Sequence, residues 1–271
     1  MKKIVSIVLA VSMLAVCVTG CKTTTRKQLK PVVLNEVAHS IFYAPQYAAI
    51  ELGYFEDEGL DLTLVNGAGA DKVMTALISG DADIGFMGSE ASIYVYQQGS
   101  DDYAVNFAQL TQRAGNFLVG REAQDNFTWA DLKGKKVLGG RAGGMPEMVF
   151  EYILKKNGID PAADLTIDQS INFGLTAAAF TSNDADYTVE FEPFATGLEK
   201  EGNGHVIASL GVDSGYVPYT AYSVKKSYLE KNPETIQKFT NAIQKGLEYV
   251  NTHSAEEIAK VIQPQFKETD E

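Results

Sequence analysis

The chain has 271 residues, 45% of them hydrophobic, and a formal net charge of -12 at pH 7. That length and apolar content suffice for two medium-sized domains with buried cores. The acidic balance argues against nucleic acid as a partner and against long-range attraction of an anionic ligand. The 2 cysteines, Cys17 and Cys21, both lie near the N-terminus, so the remaining chain has no thiol for a disulfide, a zinc cluster or a nucleophile.

Lys2 and Lys3 precede an apolar run from Ile4 to Val18, interrupted by Ser6 and Ser12. The run falls short of the roughly 20 residues that span a bilayer as a helix, and reads as the core of a signal peptide over residues 1–20. Val18-Thr19-Gly20-Cys21 follows and resembles a bacterial lipobox, in which the cysteine is lipidated and becomes the new N-terminus. Val18 stands where leucine is commoner, and plain secretory cleavage is the other reading. Residues 21–31, polar and basic for most of their length, form a tether in either case.

The β-branched run Val32-Val33-Leu34 predicts a first strand, followed by the polar and aromatic loop His39-Ser40-Ile41-Phe42-Tyr43. An amphipathic helix from Ala48 ends at Gly59, and Asp61 to Val65 forms a second strand. The loop Asn66-Gly67-Ala68-Gly69-Ala70-Asp71 then opens a helix that Gly80 stops. This is a βαβα unit, in which a ligand sits at the carboxyl ends of the strands against helix N-termini. The next strand, Asp83 to Met87, delivers Gly88-Ser89-Glu90 to a helix from Ala91 to Gln98. Gly88 and Ser89 are thereby expected at a helix N-terminus facing a cleft.

The segment Tyr43 to Leu64, with Pro45, Ala48, Gly53-Tyr54-Phe55 and Glu58-Gly59-Leu60, resembles the first lobe of the substrate-binding proteins of ABC importers. The branch it is most similar to binds aliphatic sulfonates, nitrate and thiamine-pyrimidine precursors. A second hallmark is Ala76-Leu77-Ile78-Ser79-Gly80-Asp81-Ala82-Asp83-Ile84-Gly85. The resemblance implies an α/β chain with the two-lobe periplasmic-binding-protein type II fold, two crossover segments, and in each lobe a mixed sheet flanked by helices. Residues 32–115 would begin lobe 1, 116–217 form lobe 2, and 218–271 return to lobe 1 with C-terminal helices. Because such proteins commonly continue with further helices, a truncated C-terminus is expected.

Trp129-Ala130-Asp131-Leu132-Lys133-Gly134-Lys135-Lys136-Val137 resembles the family's start of the second lobe, with Thr128 a helix cap. Gly139-Gly140-Arg141-Ala142-Gly143-Gly144-Met145-Pro146 opens a helix running to Asn157 and is the expected counterpart of the loop at His39. It lacks the spacing of a nucleotide-phosphate loop. A helix from Thr176 to Phe180, strands at Asp186 to Phe191 and Gly204 to Ala208, the crossing Tyr216 to Ser223 and helices Pro233 to Asn251 and Ala255 to Ile262 complete the chain.

Catalysis finds little support in these residues. The 3 histidines, His39, His205 and His253, have no metal-binding spacing, and Ser89 lacks a nucleophile elbow. A pyrimidine-biosynthetic enzyme of the yeast type uses a cysteine-rich iron motif, which this chain cannot supply. No cofactor or metal is expected. A binding protein needs aromatic walls and a few oriented polar groups. Phe42, Tyr43, Tyr47, Phe173 and Tyr187 are stacking candidates, each with core packing as its alternative. His39 is either a first-lobe ligand contact or a satisfied core histidine. Gly67, Gly69, Gly88, Ser89, Gly143, Gly144 and Met145 stand in the cleft-facing loops.

Glu190 follows Val189 at a strand end that the resemblance places over the ligand, with Glu192 nearby. A carboxylate there would pair with an amino group and a ring nitrogen and repel sulfonate or nitrate. Its alternative is an ion pair with Arg113 or Arg141, and that of Glu192 is a helix cap. Arg113 and Arg141 would favour an anion if either reached the cleft unpaired. The resemblance thus implies an exported, lipid-anchored monomer that hands its ligand to a membrane permease with its ATPase. The ligand reading is a thiamine-related aminopyrimidine or similar flat heterocycle, with a sulfonate, nitrate or riboflavin-like solute as alternative.

Overall fold

Strands buried on both faces require helices on both sides, and Ile84 to Gly88 is such a strand, buried throughout. The computed structural model describes residues 28–171 and 174–267. The signal segment, Cys21, most of the tether and Phe173 lie outside the described residues. Lobe 1 is a five-stranded sheet in the order β2-β1-β3-β10-β4, formed by β1 (Lys30–Glu36), β2 (Leu60–Asn66), β3 (Ile84–Gly88), β4 (Ala104–Thr111) and β10 (Thr220–Lys225). Lobe 2 is a second five-stranded sheet in the order β7-β6-β8-β5-β9. Its strands are β5 (Asn116–Gly120), β6 (Lys136–Leu138), β7 (Thr166–Asp168), β8 (Tyr187–Phe191) and β9 (His205–Ser209).

The two sheets have one plan. In each, three strands are parallel (β2, β1, β3 and β7, β6, β8), and the strand beside the third runs antiparallel. That antiparallel strand comes from across the molecule's sequence: β10 enters lobe 1 after the whole of lobe 2, and β5 enters lobe 2 directly from lobe 1. The two crossings bind each other, since Val217 N–H donates to Gln112 O at 3.0 Å and Tyr219 N–H to Thr111 O at 3.2 Å.

Lobe 1 carries α1 (Ala44–Glu51), α2 (Tyr54–Asp57), α3 (Ala70–Ser79) and α4 (Glu90–Gln97). The helix expected from Ala48 to Gly59 is two helices, because Gly53 takes the left-handed conformation (φ 71°) between α1 and α2. Lobe 2 carries α5 (Met145–Lys156), α6 (Thr176–Ser182), α7 (Phe194–Lys200) and α8 (Leu210–Ser214). The chain ends on lobe 1 with α9 (Lys226–Lys231), α10 (Pro233–Thr252) and α11 (Ala255–Ile262). Helix α10 buries Ile236, Phe239, Ala242 and Ile243 in the lobe 1 core. It approaches α1 so closely that a Cβ on Gly246 would lie 2.1 Å from Pro45 O.

Each lobe has its own core, one around Phe86, Tyr222 and Phe239 and the other around Val137, Phe150, Ile153 and Leu154. Phe42 belongs to both, its ring 5.9 Å from those of Phe191 and Tyr219. Gly115, on the first crossing, makes room for it, as a Cβ there would come within 2.4 Å of the Phe42 ring.

Candidate ligand-binding cleft

The carboxyl ends of β1, β3 and β8 face one another across the two crossings. Between them lies a cavity, walled on the lobe 1 side by Val37, Tyr43, Gly69, Asp71 and Gly88 and on the lobe 2 side by Arg141, Gly144, Met145 and Phe191. Tyr219 and Thr220, from the return crossing, complete it. Most wall residues lie at strand ends or helix starts, as in a doubly wound sheet.

Glu90, the first residue of α4, is 4% exposed and lines this cavity. Its carboxylate crosses the cleft and accepts from the backbone N–H of Met145, the first residue of α5, at 3.0 Å through Oε1. Its Oε2 is buried and has no hydrogen-bond partner. Burial pushes the Glu90 carboxyl above its ordinary value of 4.5, while its own backbone N–H, that of Met145 and the charge of Arg141 pull it back. Gly88 makes this placement possible, because a Cβ there would stand 2.0 Å from Oε2. The Tyr219 hydroxyl is a second buried polar atom without a partner on the cavity wall. Burial and the charges of Tyr43 and Glu90 raise its pKa well above 10.0, so it stays a neutral donor.

Other contacts join the lobes around the cavity. Tyr94 OH donates to Gly143 O at 3.0 Å, Ser40 Oγ to Glu192 O at 2.9 Å, and Arg141 Nε lies 3.6 Å from Asp71 Oδ1. The Arg141–Asp71 pair is largely exposed, with side chains 42% and 57% accessible, so its contribution to stability is small.

Of the residues expected from sequence, Tyr43, Gly69, Gly88, Gly144 and Met145 come together on the cavity wall, along with Arg141. His39 does not. Its Nδ1 lies 2.7 Å from Glu36 Oε1, its Nε2 lies 2.9 Å from Gln265 O, and its ring packs against Tyr47 and Phe266 on the outer side of α1. Tyr47 is fully buried and donates to Glu36 Oε2, which also accepts from Gln46. Tyr187 accepts from Gln124 within lobe 2, and Phe42 fills the junction of the two cores.

Gly67 is wedged between Asn35 and Val73, where a Cβ would come within 2.7 Å of either side chain. Ser89 Oγ donates to Pro218 O at 2.7 Å and ties lobe 1 to the return crossing. Gly143 carries the carbonyl that Tyr94 grips. Arg113 donates to Gly211 O at 2.9 Å and lies 4.2 Å from the centre of the Tyr216 ring. Glu192 caps α7, accepting from Thr196 N–H and Oγ1.

Glu190 is 2% exposed and borders a small space that adjoins the cleft at Pro146 and Phe191 and is also lined by Gly139, Gly140 and Gly174. Thr176 Oγ1 donates to its Oε2 at 3.0 Å and Thr188 Oγ1 to its Oε1 at 2.6 Å. Burial raises its pKa to about 7, with the two threonine bonds acting against it. The wall residues that sequence reasoning passed over include Glu90, Asp71, Phe191 and Tyr219. An acidic residue opening a helix directly after a strand-end glycine was the available signal for Glu90. None pointed to Tyr219.

The profile of a family described as NMT1/THI5 like matches residues 41–257. YtlA of Bacillus subtilis, described as a binding protein, is 49% identical over 251 residues, covering 93% of this chain and 75% of YtlA. The chain belongs to the NMT1/THI5 like family. A more distant relative is the 4-amino-5-hydroxymethyl-2-methylpyrimidine phosphate synthase THI11 of Saccharomyces cerevisiae, 26% identical over 229 residues. That match covers 77% of this chain and 63% of the yeast protein, so the family member spans less than two thirds of the enzyme's length.

Among solved structures, the periplasmic aliphatic sulphonate binding protein SsuA of Escherichia coli superposes with a TM-score of 0.70 at 18% identity, over 88% of this chain and 79% of SsuA. The periplasmic nitrate-binding protein NrtA of Synechocystis PCC 6803 gives 0.70 at 17% identity, over 87% of this chain and 66% of NrtA. These likenesses establish the two-lobe periplasmic-binding-protein fold for this family member.

Proposed function

We propose that this protein is the extracytoplasmic solute-binding protein of an ABC importer, anchored to the membrane through a lipid on Cys21, and that it delivers its ligand to a permease and its ATPase. The observation that carries the reading is the cavity itself. Both lobes wall it, and two of its buried polar atoms, Glu90 Oε2 and Tyr219 Oη, have no partner within the protein. An unpaired buried polar atom costs about 1–3 kcal/mol, so a ligand that satisfies both recovers that cost and holds the lobes together.

The wall chemistry favours a flat heterocycle that carries an amino group. Tyr43, Phe191 and Tyr219 supply aromatic surface, Glu90 accepts an amino N–H, and the Tyr219 hydroxyl donates to a ring nitrogen. A thiamine-related aminopyrimidine has that arrangement, and binding it requires no turnover. Among the described residues no group of three or more His, Cys, Asp or Glu is placed to hold a metal. No described helix is long and apolar enough to cross a membrane.

The test is a thermal-shift screen of the protein without residues 1–21 against aminopyrimidines, thiamine, riboflavin, taurine, alkylsulfonates and nitrate. Ligand at a hundredfold excess over Kd stabilises the fold by about 2.7 kcal/mol. A shift with the aminopyrimidines supports the reading. A shift confined to sulfonates or nitrate overturns the ligand class and leaves the receptor reading in place.

A further inference from the structure

We infer that Glu90 is a built-in anion. Its carboxylate occupies the anion site at the α5 N-terminus, so the cleft rejects sulfonate, nitrate and phosphorylated ligands and accepts one that donates an N–H to Oε2. This deepens the receptor reading above and rests on it for the location of the ligand.

Two helix N-termini meet at the cleft, that of α4 at Glu90 and that of α5 at Met145. The N-terminus of a helix has unsatisfied N–H groups and a partial positive charge, which together attract an anion. Helix α5 has 12 residues, begins at Met145, and has Pro146 as its second residue, so Met145 N–H is the donor offered at its tip. Arg141, on the same cavity wall as Met145, adds its positive charge nearby. In a protein open to anionic ligands, a sulfonate or phosphate oxygen would take the Met145 N–H. Here Glu90 Oε1 takes it, at 3.0 Å, and does so from the opposite lobe.

The second observation concerns the other oxygen. Glu90 is 4% exposed, and Oε2 has no hydrogen-bond partner although the residue lines the cavity. A carboxylate buried with half its acceptor capacity unused calls for a donor from the cavity. An anion brings none and would meet a like charge, whereas an amino group or ammonium satisfies it. Gly88 belongs to the same device, because a side chain at that position would collide with Oε2 and push the carboxylate off the α5 tip. Of the cations on the wall, Arg141 lies 3.6 Å from Asp71 and Lys72 is exposed to solvent, so neither takes the place of the Met145 N–H that Glu90 occupies.

The experiment follows from the plug. E90A and E90S empty the space beside Met145 N–H, and E90Q fills it with a neutral side chain whose amide adds a donor where Oε2 had accepted. Each variant is first checked for a native circular dichroism spectrum. The probes are sodium methanesulfonate, with sodium chloride at equal ionic strength as the blank, and 4-amino-5-hydroxymethyl-2-methylpyrimidine, the pyrimidine part of the yeast enzyme's product name.

Wild type and E90Q are expected to ignore methanesulfonate, while E90A and E90S bind it at least about tenfold more tightly than wild type. All three variants lose about tenfold or more in affinity for the pyrimidine, the worth of one charge-assisted hydrogen bond. Equal methanesulfonate binding by wild type and folded E90A or E90S, or none by either small variant, overturns the plug. A wild type that ignores the pyrimidine while E90A gains methanesulfonate supports the plug and instead counts against the aminopyrimidine assignment.

Discussion

Glu90, two residues past the end of β3, and Glu190, inside β8 one residue before its end, are buried carboxylates of the two lobes with opposite surroundings. Strands β3 and β8 are each the third parallel strand of their sheet, beside the antiparallel strand, and each ends near a buried carboxylate. In lobe 2 that carboxylate is closed off, with Thr176 and Thr188 donating one hydrogen bond to each oxygen. In lobe 1 it is half satisfied, with one oxygen bonded to the far lobe and the other buried beside the cavity without a partner. Burial is nearly equal, at 4% and 2% exposed, so burial alone does not mark a binding residue. The supply of local donors differs: Glu190 has two threonine hydroxyls, where Glu90 has one backbone N–H from the far lobe.

Removing the charge of Glu190 has the largest expected effect on stability. Its pKa is raised in the fold from 4.5 to about 7, so the folded state favours the protonated acid. That contribution is full below pH 4.5, is lost as the pH rises through 7, and is absent above it. A shift of this size corresponds to about 3 kcal/mol. E190Q should therefore gain up to about 3 kcal/mol over wild type at pH 8 and little at pH 5, as read by urea unfolding at both values. An E190Q chain no more stable than wild type at pH 8 would mean that Glu190 is not buried as described.

Making Glu190 resemble Glu90 comes next. T188V removes one of its two donors and should destabilise the fold by about 2 kcal/mol at pH 8, where the acid is ionised, and by less at pH 5. The reverse manipulation acts on Glu90 through its neighbour. G88A places a methyl group against Oε2 and should lower affinity for an aminopyrimidine by about tenfold, measured by calorimetry. The smallest effect belongs to the exposed pair bridging the cleft. D71N should change stability by at most about 0.5 kcal/mol, a value already within the range of exposed ion pairs.

Much of the fold is legible in the residues. The glycines that stop helices, the β-branched runs and the strand-end loops locate most elements within a few residues, because they report local backbone preference and one-dimensional burial pattern. Gly53 shows the limit, as a glycine expected to ride inside a helix divides it. The site was legible only in outline. Loop positions such as Gly69, Gly88 and Gly144 follow from topology, but which acid faces the ligand depends on partners remote in sequence. Thr176 lies 14 residues from Glu190, and Met145 lies 55 residues from Glu90. His39 is drawn out of the cleft by Gln265 and Phe266, over 200 residues away, for which no local pattern gives a sign.

The central claim is that the cleft selects an amino-bearing ligand and refuses an anion. Calorimetric titration of the wild-type protein at pH 7.5 with 4-amino-5-hydroxymethyl-2-methylpyrimidine and with its phosphate ester tests it most directly, since the two share every ring contact and differ only in the charged group. The account predicts saturable binding of the free pyrimidine and affinity at least about tenfold weaker for the ester. Equal or tighter binding of the phosphate ester would contradict it.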